Sequence, residues 1–321
     1  MHPRSLALMI ANFPDGQTGR FDYTFPGATE GKPLNNAIVG TVTDNNPNAP
    51  APDFSGTIDW GDGPNGPDGT STSAATFKAV PGQPGVFNIL GSHTYKEEGG
   101  YDMVITVNDK GGSSGSSSNM FDVADAAVNL SPTVQINGTE GISTGVLTIA
   151  TLKDDNPNAP VSDFANNVWI DWGDGNADPG TLVPQGNGTF LVQGSNTYAE
   201  EGQYTIGVSA YDVGGSAAAP VNSYADIKDA PISLTPNPVG VTELLPTGDM
   251  LVATLQDTNL SNVDATDFSG TVNYGDNTPP AALSFMAWGG GSFAVTAPEE
   301  KKVTSIISPP TPSISAARRA D

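Results

Sequence analysis

The residues of this chain best suited to chemistry are carboxylates and amides, and they recur. "DNNPNAP" places Asp44, Asn46 and Asn48 at alternate positions, and "DDNPNAP" repeats the pattern with Asp154, Asn156 and Asn158. Alternating side-chain oxygens can converge on Ca²⁺, a cation that is satisfied by oxygen ligands alone. The match to the opening of an EF-hand loop is partial. Ala49 and Ala159 replace the required glycine, a proline sits inside, and no glutamate closes the loop. Asp109 and Asp212, in neighbouring loops, are further candidate ligands. The competing reading is that Asp, Asn and Pro build a solvated turn.

Glu97–Glu98 and Glu200–Glu201 invite comparison with a glycosidase pair. Such pairs face each other across a sugar, about 5–10 Å apart, which neighbours in a short turn seldom achieve. The chain holds 2 histidines, His2 and His93, and no cysteine. It has no Ser–His–Asp arrangement, phosphate loop or Cys/His cluster, so the expectation is a protein that is not an enzyme. Sequons at Asn129, Asn137, Asn187 and Asn259 are explained by an Asn- and Thr-rich composition.

A second recurrence is aromatic. "DFSGTIDWGDG" returns as "DFANNVWIDWGDG" and as "DFSGTVNYGDN", giving Trp60, Asp62 and Gly63, then Trp172, Asp174 and Gly175, then Tyr274 and Asp276. The glycines permit positive φ, and the aspartate can cap the turn through its own backbone amides. Copy three exchanges Trp for Tyr and the last Gly for Asn277, which keeps an aromatic plug and a turn. A structural corner tolerates these exchanges. Downstream, "GSHTYKEEGGY" supplies Tyr95 and Tyr101, and "GSNTYAEEGQY" supplies Tyr198 and Tyr204. Tyr101 stands where sandwich domains place a tyrosine whose hydroxyl bonds nearby backbone. His93 becomes Asn196, so its role survives without an imidazole.

These residues must be positioned by strands. Tyr101, Met103, Ile105 and Val107 alternate with polar residues, as do Tyr204, Ile206, Val208 and Ala210. Period two with Gly, Pro and Asn turns, in copies of roughly a hundred residues, predicts tandem all-β immunoglobulin-like sandwiches. The expected division is an N-terminal segment over 1–26, sandwiches over 27–131 and 132–233, an incomplete third over 234–296, and a tail over 297–321. Linkers are placed near Ala126–Pro132 and Ala230–Pro238. After Thr296 the repeat pattern stops and the chain turns basic and proline-rich, so order is expected to end there. The tail reads either as natural or as a frame slip, because codons for Glu300 to Val303 can spell Glu-Glu-Gly one frame over.

Composition narrows the partners. The 321 residues include 38 Gly and 27 Pro, with 37% hydrophobic, enough for modest cores. A formal charge of −23 argues against nucleic acid and anionic membranes, which need clustered Lys and Arg. No apolar run is long enough for a membrane-spanning helix.

The combination of "WGDG", "H-x-Y-x-x-x-G-x-Y" and a strand ending "V-x-D-x-G-G" resembles the PKD (polycystic kidney disease) repeats of bacterial surface and secreted proteins. Trp60, Asp62, Gly63, His93, Tyr95, Gly99, Tyr101, Asp109 and Gly112 carry the resemblance in copy one. Trp172, Asp174, Gly175, Tyr198, Gly202, Tyr204, Asp212 and Gly215 carry it in copy two. It implies an extracellular, non-catalytic module contacting protein or polysaccharide at the cell surface. The expected role is a spacer or adhesive stalk, with Ca²⁺ the one cofactor to consider. Two alternatives stand beside it. A carbohydrate-binding accessory module would use Trp288 and Tyr211 as its aromatic platform. A fibre subunit would exchange strands between copies through the incomplete third domain.

Overall fold

The computed structural model describes residues 9–12, 18–23, 27–63, 71–132, 135–238, 248–259, 263–275, 278–298 and 313–318. The chain is built from strands, and each copy of the repeat folds as two facing sheets.

The first copy supplies β1 (Met9–Asn12), β2 (Thr18–Tyr23), β3 (Ala28–Thr29), β4 (Leu34–Thr43), β5 (Phe54–Asp59), β6 (Thr72–Ala74), β7 (Thr76–Ala79), β8 (Val86–His93), β9 (Gly99–Asp109) and β10 (Ser114–Ala124). One sheet has the order β1-β2-β4-β8-β7 and the other β3-β10-β9-β5-β6. Strand β3 runs parallel to β10, while β2 pairs antiparallel with β4 in the opposite sheet. The entering chain thus contributes a strand to each sheet.

The second copy repeats the plan. Its strands are β11 (Val128–Pro132), β12 (Gln135–Thr139), β13 (Leu147–Asp154), β14 (Val168–Asp171), β15 (Ala177–Pro179), β16 (Thr181–Gly186), β17 (Thr189–Gly194), β18 (Gly202–Ala210) and β19 (Val221–Lys228). The sheets read β11-β13-β17-β16 and β12-β19-β18-β14-β15, with β12 again parallel to β19. The third copy has β20 (Ile232–Pro236), β21 (Met250–Asp257), β22 (Phe268–Asn273), β23 (Ala281–Ala282), β24 (Ser284–Gly289), β25 (Ser292–Ala297) and β26 (Ser313–Arg318).

Alternation sets which side chains are buried. Met103, Ile105 and Val107 of β9 are enclosed with Ile58 and Trp60, and Ile206, Val208 and Ala210 of β18 with Ile170 and Trp172. Burial of that inward face is the main stabilising contribution to each sandwich.

Three expectations need correction. The segments placed as linkers are largely strand: β11 pairs with β13 and buries Val128 in the second core, and β20 pairs with β21. Proline is tolerated there because it ends an edge strand, where no ladder donor is required. The linkers proper are Asp125–Ala127 and Asp229–Pro231. At the other end, β2 makes the segment before residue 27 part of the first sandwich. The tail also contributes structure. Strand β26 pairs with β22, Val272 opposite Ile314, in the place that β9 takes beside β5 and β18 beside β14. Ile314 and Ala316 pack on the third core. The alternation within "SISAAR" lets an unrelated sequence complete the sheet, which holds three strands among the described residues.

Candidate functional site

The recurrent corner is assembled from three strands. Trp60 and Trp172 are fully buried, and Gly91 and Gly194 make room for them. A Cβ on Gly91 would lie 2.7 Å from the Trp60 ring, and one on Gly194 would lie 3.0 Å from the ring of Trp172. The Tyr95 hydroxyl donates to the Trp60 carbonyl at 3.0 Å, and that of Tyr198 to the Trp172 carbonyl at 3.3 Å. Burial, with the nearby Asp174, pushes the Tyr198 phenol up to about 12, so it stays a donor at every physiological pH.

The turn cap comes from a residue that the motif reading passed over. Asp59 Oδ1 accepts from Gly61 N at 3.1 Å, Asp171 Oδ1 from Gly173 N at 2.9 Å, and Asn273 Oδ1 from Gly275 N at 2.8 Å. The motif aspartates reach across the corner, and Asp174 Oδ1 also caps the turn as expected, accepting from Asn176 N at 3.0 Å. Asp62 Oδ2 lies 2.8 Å from His93 Nε2, and Asp174 Oδ2 accepts from Asn196 Nδ2 at 2.8 Å. His93 also stacks on Trp60, ring centroids 4.9 Å apart. A histidine–aspartate pair can serve catalysis, but this one is buried and its counterpart is an amide. It is a clasp across the corner. Burial raises the Asp174 carboxyl, but bonds from Asn196 and Asn176 outweigh that and hold it below its ordinary value.

The remaining signature residues are also committed to structure. Tyr101 donates to the Glu97 carbonyl at 2.8 Å and Tyr204 to that of Glu200 at 2.9 Å. Asp109 Oδ2 accepts from Gly111 N at 2.8 Å and Asp212 Oδ1 from Gly214 N at 2.7 Å. In copy three Tyr274 is half-buried and donates to the Pro298 carbonyl at 2.6 Å; Asp276 lies outside the described residues.

The alternating Asp/Asn loops fold as successive Asx turns. Each oxygen caps the amide two residues on: Asn46 N to Asp44 Oδ1 at 2.7 Å, Asn48 N to Asn46 Oδ1 at 3.0 Å, and Asn158 N to Asn156 Oδ1 at 3.0 Å. Asn48 and Asn158 are exposed. Asp154 joins the same series through Oδ1 on Asn156 N, but its second oxygen takes no part in it.

Asp154 also belongs to an acidic group at the junction of the first two sandwiches. Around it stand Glu30, Glu97 and Glu98 from the first sandwich, Asp125 from the linker, and Asp163 and Asp212 from the second. One carboxylate oxygen each from Glu30, Glu97 and Glu98 lie within 4.8 Å of one another, and so do one each from Glu98, Asp125 and Asp212. Backbone amides hold several members: Ala126 N on Glu30 Oε1 at 3.3 Å, Ser216 N on Asp125 Oδ2 at 2.7 Å, Asn156 N on Asp154 Oδ1 at 2.6 Å. The second oxygens of Asp125 and Asp154 are buried and have no hydrogen-bond partner. Lys32 of the first sandwich reaches Asp155 of the second beside this group, its Nζ donating to the Asp155 carbonyl at 3.0 Å and lying 4.0 Å from Oδ2. Burial first, then Asp154, Glu98 and Asp125, pushes Glu30 up to about 8, and burial with Glu97 and Asp212 pushes Asp163 up to about 7.

The next junction repeats the group in reduced form. Glu140, Glu201 and Asp229 converge within 4.8 Å, and fully buried Asp257 again has one oxygen without a partner. In the third sandwich Arg318 takes the register position of Asp109 and Asp212, opposite Phe268 as Asp109 is opposite Phe54, so no carboxylate stands there. Sequence reading missed Glu30, Glu140, Asp125 and Asp229. The available signal was the recurrence of "TEG" at Thr29 and Thr139 and of Asp-Ala at Asp125 and Asp229.

Trp288 is 55% exposed on β24, and Tyr211 is 50% exposed on the second sandwich. They sit in different sandwiches.

No protein-family model and no curated protein matches this sequence. Among solved structures, the chain is similar to a tetra-tandem repeat in the extending region of a large adhesion protein (14% identity, TM-score 0.37, 87% of this chain and 69% of that one). It is also similar to the D1–D4 ectodomain fragment of ICAM-5 (12% identity, TM-score 0.35, 94% and 76%). A third similarity is to fibronectin(III)-like modules of Clostridium thermocellum CbhA (18% identity, TM-score 0.23, 65% and 94%). At these scores the likenesses carry no argument, and the immunoglobulin-like reading rests on the chain's own sheets.

Proposed function

We propose that this chain is a non-catalytic extracellular repeat module of the PKD type, acting as a spacer or adhesive stalk that presents contacts to protein partners. The observation that carries this reading is the docking of successive sandwiches through three-residue linkers with the same bonds at each junction. The Asn156 side chain donates to the Lys96 carbonyl at 3.0 Å, and the Asn259 side chain to the Ala199 carbonyl at 3.0 Å. Short linkers and fixed end contacts transmit position along a chain of domains. The recurrent motif residues, which an enzyme would keep for substrate, are bonded into corners and turns.

Small-angle scattering of the full chain tests the spacer. A rod-like profile with a concentration-independent maximum dimension supports it, and a compact particle overturns it. The carbohydrate reading has a narrower basis in Trp288 and Met286, both exposed on β24. Retention on an insoluble polysaccharide that Trp288→Ala abolishes would establish it in place of the spacer.

A further inference from the structure

We infer that the junction between the first and second sandwiches is a calcium site with two adjacent positions sharing Glu98. One is formed by Glu30, Glu97 and Glu98, and the other by Glu98, Asp125 and Asp212, with Asp154 an electrostatic neighbour of Glu30, Asp125 and Asp212. The convergence of carboxylates is one observation. The independent one is Asp154: its side chain is fully buried, its Oδ1 is spent on Asn156 N, and its Oδ2 has no partner. A buried carboxylate oxygen without a donor carries a large desolvation penalty, which a cation bound there would offset. Asp257 reproduces this orphaned oxygen at the second junction, beside Glu140, Glu201 and Asp229. The same unsatisfied atom thus recurs at both junctions.

The donor set selects the ion. All donors are oxygens, with no His or Cys among them, which suits a hard cation. Several carboxylates from five chain segments can supply the high and irregular coordination that Ca²⁺ accepts, whereas Mg²⁺ demands a near-ideal octahedron and keeps its waters. Because the ligands come from both sandwiches and the linker, binding ties the domains together. The second junction, without a position-212 carboxylate, binds more weakly. Binding itself does not depend on the spacer reading; a stiffening role does.

Calorimetric titration of the full, chelator-stripped chain with CaCl₂, with MgCl₂ in parallel, tests the site. The expected result is at least two Ca²⁺ per chain, bound with dissociation constants of about 10⁻⁴ M or tighter and in preference to Mg²⁺. Glu98→Gln should weaken this binding by about tenfold or more, the size of loss that even an outer-shell partner produces. Asp122→Asn, on the exposed face of β10, should leave it unchanged. Circular dichroism in chelator establishes that each variant folds, and Asp212→Asn carries the same test if Glu98→Gln does not. Absence of Ca²⁺ binding, equal Mg²⁺ binding, or binding that survives both variants would overturn the assignment.

Discussion

Asn156 of the second sandwich donates its side-chain amide to the backbone carbonyl of Lys96 in the first, and Asn259 makes the same bond to Ala199 one repeat later. Gly31 fits against this asparagine: a Cβ there would lie 2.5 Å from Asn156 Oδ1 and 2.8 Å from its Cα. Gly31 also has a φ of +65°, and Gly145 has +67° with nothing within 4 Å of its Cβ position. Comparing alanine at these two glycines therefore separates backbone strain from lost docking. Both substitutions should cost about 1–2 kcal/mol in denaturant unfolding, because both force alanine into the left-handed region. Only Gly31→Ala should also weaken the coupling between the first two sandwiches, seen as separated unfolding transitions. Equal behaviour of the two variants would show that the contact does not hold the junction.

The corner clasp makes a prediction in which one repeat rescues another. His93→Asn installs the residue of copy two, whose Nδ2 reaches the matching aspartate at 2.8 Å. His93→Ala leaves Asp62 with two buried, unpartnered oxygens, since Oδ1 already lacks a partner. The alanine variant should lose about 1–3 kcal/mol, more than the asparagine variant loses. Thermal denaturation of both proteins decides it, and equal losses would mean that stacking on Trp60, not the bond to Asp62, is what His93 supplies.

Trp172→Ala should be among the most damaging single changes. It removes a fully buried ring beside Gly194, a site that cannot collapse because strands enclose it. A loss of about 3–5 kcal/mol is expected from the cavity and lost transfer energy. Trp288→Ala, at an exposed position, should change stability by no more than about 0.5 kcal/mol.

The acidic junction gives the cation-free protein an unusual pH dependence. Glu30 is raised from 4.5 to about 8 and Asp163 from 3.8 to about 7, so the folded state holds protons that the unfolded chain has released. Stability from these two groups is complete below their unfolded values and is lost as pH rises through the folded ones. The groups facing them are Glu97, Glu98, Asp125, Asp154 and Asp212, with Lys96 near Glu97 and Lys153 near Asp154 as the countercharges. Melting temperature in chelator should therefore fall between about pH 5 and pH 8. A flat or rising profile would contradict the crowding of these carboxylates.

The sandwiches were legible in sequence because burial imposes period two on β9 and β18, and because each corner needs an aromatic plug beside glycines. Asp59 was not, since a capping aspartate at a strand end looks like any polar residue on the exposed face. The junction was harder still. Glu30, Glu98, Asp125 and Asp154 come from four short segments that only domain docking brings together, and the loop pattern drew notice to Asn48 and Asn158, which are exposed. Strand β26 was missed for a different reason. Its two inward residues, Ile314 and Ala316, are too few to mark a strand until β22 offers a partner edge.

Successive sandwiches are held in one relative position by the junction bonds of Asn156 and Asn259. The chain has no cysteine, so Lys78→Cys on β7 and Gln185→Cys on β16, both exposed, give a unique pair of spin labels in the first and second sandwiches. Pulsed electron paramagnetic resonance then reads the distance between them directly. The account predicts a single narrow distribution in Ca²⁺ that broadens in chelator. A broad distribution under both conditions would show freely hinged domains and contradict it.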